Sequence, residues 1–306
     1  MDPKSAWEGV LGEVKKHISG KTDVIELMFI ALVANGHILL EGMPGVAKTT
    51  MTKALCDAID AQFSRIQGTP DLEPKDIMGY SYIDEESHKM MVRNGPIFTN
   101  ILLIDELNRA PMKTTAGLLE VLEERQVTIP GVETQKLKEP FVAFATQNPI
   151  SVDGTIQLPK VLTDRFLMKV LVSYPSMEEE QVMLRLKEKE SKVVTKKIIG
   201  LNDILEMQRM AADDVEMPDN VVSYITRIVA ATRTDLHVVL GGSPRAEISF
   251  MKAGKAKALI EGRKEVSIED IKFLARPVLS HRIVVRSTGG IGVNGIIDGI
   301  IATLKE

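Results

Sequence analysis

The chain has 306 residues, enough for one large domain or two modest ones, and its 44% hydrophobic and 26% charged content is that of a soluble globular protein. A formal net charge of −4 excludes a surface that is basic all over, though not a local basic channel. Cys56 is the only cysteine, so no intrachain disulfide can form, and the sparse aromatics leave core building to Leu, Ile, Val, Ala and 15 methionines.

In chain order, residues 4–18 read as a helix, and Thr22 or Asp23 caps a second. Val24, Leu27, Met28, Ala31 and Leu32 give that second helix one apolar face, and Asn35-Gly36 ends it. The run Leu27 to Ala34 is too short to cross a bilayer, and Met1-Asp-Pro-Lys has no signal-peptide core, so a cytoplasmic protein is expected. His37-Ile-Leu-Leu40 then reads as a strand. It breaks into Glu41-Gly-Met-Pro-Gly-Val-Ala-Lys-Thr-Thr50 and opens a helix running to about Ile59.

A strand, a glycine turn and a helix start point a row of backbone N–H groups at one spot, which suits a polyphosphate. Lys48 would reach the β- and γ-phosphates and Thr49 would complete the shell of a Mg²⁺ ion. Gly42 and Gly45 let phosphate oxygens approach the backbone; Ala47 replaces the usual glycine, which is acceptable if that residue is already helical. The nucleotide-binding set is therefore Gly42, Pro44, Gly45, Val46, Ala47, Lys48, Thr49 and Thr50. The bland alternative is a strand–turn–helix with a surface lysine.

A strand is expected around Gln62–Ile66. From Gly68 the character changes, with Pro70, Pro74, Gly79, Gly95 and Pro96 and short β-like pieces at Tyr80–Ile83 and Lys89–Val92, so an insertion at about 68–97 carrying a hairpin is expected. Ile101-Leu-Leu-Ile104 ends in Asp105-Glu106, the pattern of a doubly covered strand with acids at its carboxyl end. Pro111 to Glu124 reads as a helix, and Gln126–Ile129 with Lys136–Leu137 as a hairpin. Phe141–Thr146 and Phe166–Val172 are further strands; their alternation with helices implies a parallel sheet.

After Tyr174-Pro175 only helices are expected. Ser176-Met-Glu-Glu179 caps a charged one reaching about Ser191, and others fit 202–212, 219–233, 244–261 and 268–280. Ser243 is the expected N-cap of the fourth, and Ser267-Ile-Glu-Asp270 caps the fifth. This divides the chain into an α/β domain over 1–174 and a helical one over 175–306. Gly290-x-Gly292-x-x-Gly295 imitates a dinucleotide fingerprint, but too few residues follow for a βαβ unit, and a loop before a last short helix is expected.

For the chemistry, Asp105 would hold water on the Mg²⁺ and Glu106 would polarise the attacking water. Carboxyl ends of parallel strands meet at one edge, so Asn148 should approach the same phosphates, or else close its own turn before Pro149. His37, His88, His237 and His281 show no metal-ligand spacing. Met90-Met91 would either contact clients or pack the hairpin.

These residues resemble those of the AAA+ ATPases and, within them, the MoxR ATPases. The likeness lies in Gly36–Thr49, Arg65–Asp76, Gly95-Pro-Ile-Phe98, Asn108-Arg-Ala-Pro111, Leu118–Ile129 and Ala145-Thr-Gln-Asn-Pro149, where Ala47 is usual. It implies an AAA+ P-loop domain with a five-stranded parallel sheet, a small all-α lid, and a homo-hexameric ring with ATP and Mg²⁺ at subunit interfaces. It also implies an insertion in the second helix. By resemblance Arg165, in Leu162-Thr-Asp-Arg-Phe166, matches the arginine finger given by a neighbouring subunit, and Arg245, in Gly241-Gly-Ser-Pro-Arg245, matches the sensor 2 arginine of the lid. Ile18-Ser-Gly-Lys-Thr22 lacks the Gly-Gln pair common in the family, which leaves the adenine contacts open. The activity implied is that of an ATPase remodelling or maturing other proteins, chaperone-like, with a von Willebrand factor A domain protein as partner. The chain shows no module beyond the lid, so clients would be engaged by its bare surfaces or by another chain. A nucleic-acid motor or loader is the competing class, disfavoured by the net charge, and an ATP-binding scaffold is a third.

Overall fold

The protein is described by a computed structural model over residues 2–149, 155–188, 194–286 and 292–304. Helices α1 (Pro3–Val14) and α2 (Thr22–Val33) precede strand β1 (Ile38–Glu41) and α3 (Lys48–Ala58). Strand β2 (Phe63–Gln67) leads to the insertion, a one-turn α4 (Pro74–Met78) and the hairpin of β3 (Gly79–Ile83) and β4 (Met90–Asn94). Next come β5 (Ile101–Asp105), a 3₁₀ turn at Leu107–Arg109, α5 (Met112–Glu124), and the small hairpin of β6 (Gln126–Val127) and β7 (Gln135–Lys136). β8 (Val142–Gln147), α6 (Lys160–Thr163) and β9 (Met168–Leu171) follow. The remainder holds α7 (Met177–Glu188), α8 (Leu201–Asp213), α9 (Asp219–Thr234), β10 (Val238–Leu240), α10 (Pro244–Ile260), α11 (Ile268–Leu279), β11 (Val284–Val285) and α12 (Val293–Thr303).

Five strands form one parallel sheet in the order β2-β5-β8-β1-β9. Side chains alternate across it, as the two-residue period of a strand requires. Ile38, Leu40, Leu103, Val142, Phe144, Met168 and Val170 join one buried core with the apolar faces of α1, α2, α3 and the C-terminal helices. Leu39, Leu102, Ile104, Ala143 and Ala145 join a second with Leu118, Val121 and Leu122 of α5. Each of the larger side chains contributes about 1.5–3 kcal/mol of burial, so the covering on both faces accounts for the unbroken apolar runs in the sequence.

Several expectations shift. Helix α1 stops at Val14, and the N-cap of α2 is Lys21 in the left-handed region (φ 55°), not Thr22 or Asp23. Ser243 stands at the cap of α10, but its hydroxyl faces Asp164 Oδ2 at 3.4 Å instead of capping. The two capping boxes form: Ser176 exchanges bonds with Glu179, and Ser267 with Asp270. Among the described residues the C-terminal part is helical apart from a single bridge between Glu216 and Glu265 and the antiparallel ribbon of β10 and β11, whose strands are too short to stand out in the sequence. Residues 287–291, with Gly289 and Gly290 of the glycine-rich stretch, lie outside the described residues, but the expected last helix is present as α12, with Gly292 at its N-cap. No helix among the described residues is long and apolar enough to cross a membrane.

Arg282 fastens the helical part to the segment that feeds β9. It is buried and donates to the carbonyls of Phe166 (2.8 Å), Leu167 (3.2 Å) and Val278 (2.5 Å), to Ser249 Oγ (2.9 Å) and to the Asp164 carboxylate (3.0 Å). Burial draws its pKa down to about 10, against the pull of Asp164, so it stays charged at neutral pH. Arg282→Met strands these acceptors and is expected to cost about 3 kcal/mol or more. Urea unfolding reads this directly, and a loss within ~0.5 kcal/mol, the range of an ordinary surface change, would show that the link carries no stability.

Candidate nucleotide site

The turn from β1 into α3 places the loop at the carboxyl end of the sheet. Gly45 has φ 84°, a region where only glycine is unstrained. Gly42 is glycine for a different reason than phosphate approach: a Cβ there would lie 2.5 Å from the Val172 carbonyl oxygen at the end of the neighbouring strand. Ala47 is not helical. It takes φ 64° and ψ 21° as the residue before α3, a left-handed conformation costing about 1–2 kcal/mol in an L-residue. Lys48 is buried, with Nζ donating to the carbonyls of Gly42 (2.5 Å) and Met43 (3.2 Å). Burial lowers its pKa, and Asp105, Glu106 and Glu41 oppose that shift.

Thr49 Oγ1 lies 3.2 Å from Asp105 Oδ2. Adjacent oxygens around a Mg²⁺ ion sit roughly 2.9 Å apart, for metal–oxygen bonds of about 2.0–2.1 Å, so this pair of hard donors fits such an ion or its water shell. Asp105 is anchored by Thr146 Oγ1 at 2.6 Å and meets the Arg65 guanidinium at 2.7 Å. Although its burial acts the other way, those donors hold its carboxyl below the usual range. Among the described residues no group of three His, Cys, Asp or Glu side chains is disposed to hold a metal alone. Any Mg²⁺ here would therefore share its shell with phosphate and water.

Glu106 has φ 53° and turns its carboxylate across the strand ends. Oε2 accepts from Arg109 (3.0 Å) and Gln67 (3.1 Å), and Oε1 accepts from Asn148 Nδ2 (3.0 Å). Asn148 is buried, its own backbone held by Asn108 through bonds of 3.0 and 3.3 Å. Lys48, Thr49, Asp105, Glu106 and Asn148 thus converge at one sheet edge. Sequence reading missed Arg65, Gln67, Thr146 and Arg109. Arg65 and Gln67 could have been found, since they alternate on a strand beside β5 and so face the same way. Beside Thr49 and Thr50 a cavity of about 680 Å³ runs along α3, with His17 and Thr195 on its wall.

Arg165 and Arg245 lie elsewhere. Both line a cavity of about 440 Å³ with Gly36 and His37, which precede β1, and Leu167, which precedes β9. That is the amino end of the sheet, opposite the phosphate loop. Arg165 Nη2 reaches Glu123 Oε2 at 2.5 Å and Arg245 Nη2 reaches Glu123 Oε1 at 2.6 Å. Arg125, Lys252 and Arg282 also line this cavity, so five cations face two carboxylates, Glu123 and Asp164.

Among the other sequence candidates, Cys56 is buried in α3 and burial raises its pKa, as expected of an inert thiol. His37 is buried too, driven down to about 3 chiefly by desolvation, with one ring nitrogen on Leu122 O and the other accepting from Ala143 N. It is a structural residue.

A phosphate loop and acidic strand end on a five-stranded parallel sheet, followed by a helical lid, define the AAA class of ATPase domain. Two family models match the chain, one described as the ATPase family associated with various cellular activities (AAA) over residues 37–168, the other as the AAA lid domain over residues 230–291. The chain is 39% identical over 287 residues to the Chaperone MoxR1 of Mycobacterium tuberculosis, covering 90% of this chain and 75% of that one. It is 41% identical over 304 residues to YeaC of Bacillus subtilis, an uncharacterized protein, covering 97% and 94% respectively. A crystal structure of a candidate ATPase from Cytophaga hutchinsonii superimposes with a TM-score of 0.90 at 35% identity, covering 99% of this chain and 95% of that one. The chain belongs to the MoxR-type AAA+ ATPases.

Proposed function

We propose that the protein hydrolyses ATP to ADP and phosphate with Mg²⁺, in a homo-hexameric ring, to remodel or mature other proteins. In this reading the phosphate loop of one subunit holds the nucleotide, Thr49 and Asp105 hold Mg²⁺ and its water, and Glu106 with Asn148 orients the attacking water. Arg165 and Arg245 serve the nucleotide of the next subunit. The observation that carries this is their position: β1 and β9 separate them from Lys48, so they face away from their own subunit's phosphates. A cation-rich cavity on one end and a phosphate loop on the other suit a head-to-tail interface, the kind that closes into rings. Size-exclusion chromatography with light scattering, with and without ATP, tests the assembly, and phosphate release with and without Mg²⁺ tests the reaction. We keep the division into an α/β domain over 1–174 and a lid over 175–306 as part of the proposal.

A von Willebrand factor A domain partner rests on the family resemblance, and the β3–β4 hairpin is the surface we assign to a partner or client. Ser81 Oγ donates to Pro130 O at 2.7 Å and Met90 approaches Gly131, so one face of the hairpin leans on the body. Tyr80, Tyr82 and Met91 are exposed on the other, and Ile83 and Met90 toward the tip are exposed as well. At the tip Asp84 is occupied by Ser87 and is the acid least free for a partner's metal. Deleting residues 84–91 is expected to abolish capture of a von Willebrand factor A domain protein while ring formation and basal turnover persist. Unchanged capture removes the assignment.

A further inference from the structure

Glu123 stands in the last turn of α5, where the helix dipole disfavours a negative charge, and α5 carries no basic residue there. What compensates it is the pair of guanidiniums: one carboxylate oxygen on Arg165 at 2.5 Å, the other on Arg245 at 2.6 Å. The hydrogen bond from Arg245 and the charge of Arg165 hold its carboxyl below the usual range, so it is ionised at neutral pH. The cavity's other acid is committed elsewhere, since Asp164 is bound to the buried Arg282 at 3.0 Å and is 3.9 Å from Arg245. Arg165 also keeps a buried Nε with no hydrogen-bond partner, so the carboxylate does not satisfy it fully.

We propose that Glu123 is a positioning residue that occupies the two arginines as a stand-in for a phosphate and yields them to the terminal phosphate of the neighbouring subunit's ATP. The inference rests on the proposed interface role of Arg165 and Arg245 and adds what holds them before the interface forms. Two guanidiniums side by side repel, and a carboxylate between them keeps both forks converged on one anion-sized point. A terminal phosphate carries more charge and three acceptor oxygens, so it can replace the carboxylate and also reach the unsatisfied face of Arg165. ADP has no γ-phosphate to place there, and its own terminal phosphate sits one phosphate unit further back in its loop. The exchange therefore costs the free subunit its internal ion pairs and makes ring closure depend on the terminal phosphate. Glu123 is about two-fifths exposed, so it has room to swing aside.

Glu123→Gln keeps the shape and removes the charge. Its ring is expected to assemble with a slowly hydrolysed ATP analogue at about tenfold lower protein concentration than the parent, and to assemble measurably with ADP. Analytical ultracentrifugation against protein concentration reads both, and binding of a fluorescent ATP analogue to dilute subunits should be unchanged. A merely structural role would move assembly the other way or not at all, and either result overturns the proposal. Arg165→Ala, assayed alongside, separates this failure from that of the underlying reading. If Arg165→Ala keeps full turnover, the interface role falls and the inference with it. If it loses turnover while Glu123→Gln assembles like the parent, only the exchange is refuted.

Discussion

Glu106→Gln is expected to bind ATP as the parent does while hydrolysing it about 10²-fold more slowly, or worse. The substitution leaves the phosphate cradle untouched, since Lys48, Thr49 and Asp105 make their contacts without the Glu106 side chain. It removes the carboxylate that, in the proposed reaction, takes a proton from the attacking water. The geometry explains why the amide cannot substitute. Arg109, Gln67 and Asn148 all donate to this side chain, and an amide would turn two N–H groups toward at least one of those donors. Lys48→Ala should fail differently. It deletes the cation proposed to reach the terminal phosphates and is expected to weaken ATP binding itself, by about tenfold or more for one lost charge-assisted contact. Isothermal titration with ATP and a phosphate-release assay on both variants separate the two defects. Parent-like hydrolysis by Glu106→Gln would sink the assignment of the base.

What the sequence disclosed was the part that depends on chain-local patterns. Four buried residues ending in Asp105-Glu106, and a glycine turn opening α3, each carry their geometry within a few positions. The less local features escaped. Ala47 looked compatible with a helix, yet the turn that aims the loop's N–H groups needs a left-handed residue there, and the strain is visible only in φ. Gly42 answers to a strand end more than a hundred residues away in sequence. Arg65 and Gln67 matter because β2 lies beside β5, a neighbour relation that strand order decides and composition does not. Nothing in the local sequence singles out Glu123. Only the fold brings it against Arg165 and Arg245, which lie about 40 and 120 residues further on. By contrast the rule that parallel strands end at a common edge already brings Asn148 toward Asp105-Glu106, and its Nδ2 donates to Glu106 Oε1 at 3.0 Å.

Arg165→Ala is expected to retain ATP binding and lose hydrolysis by about 10³-fold, the scale on which a guanidinium stabilises the charge of phosphoryl transfer. Loss alone does not say whose nucleotide the arginine serves, because a subunit that misfolds also loses activity. Mixing does. The Arg165→Ala subunit has an intact Glu106 beside its own phosphate loop, and the Glu106→Gln subunit has an intact Arg165 at the far end of its sheet. Where the first contributes the loop and the second the arginine, one interface holds every group. In a random equimolar ring about a quarter of interfaces have that composition, so turnover should return to roughly that fraction of the parent if interfaces act independently. An arginine acting on its own subunit's nucleotide gives no such rescue, since each subunit then carries its own defect wherever it sits. Mixed rings, verified by differently tagged subunits co-purifying, that remain as inactive as either parent variant would refute action across the interface.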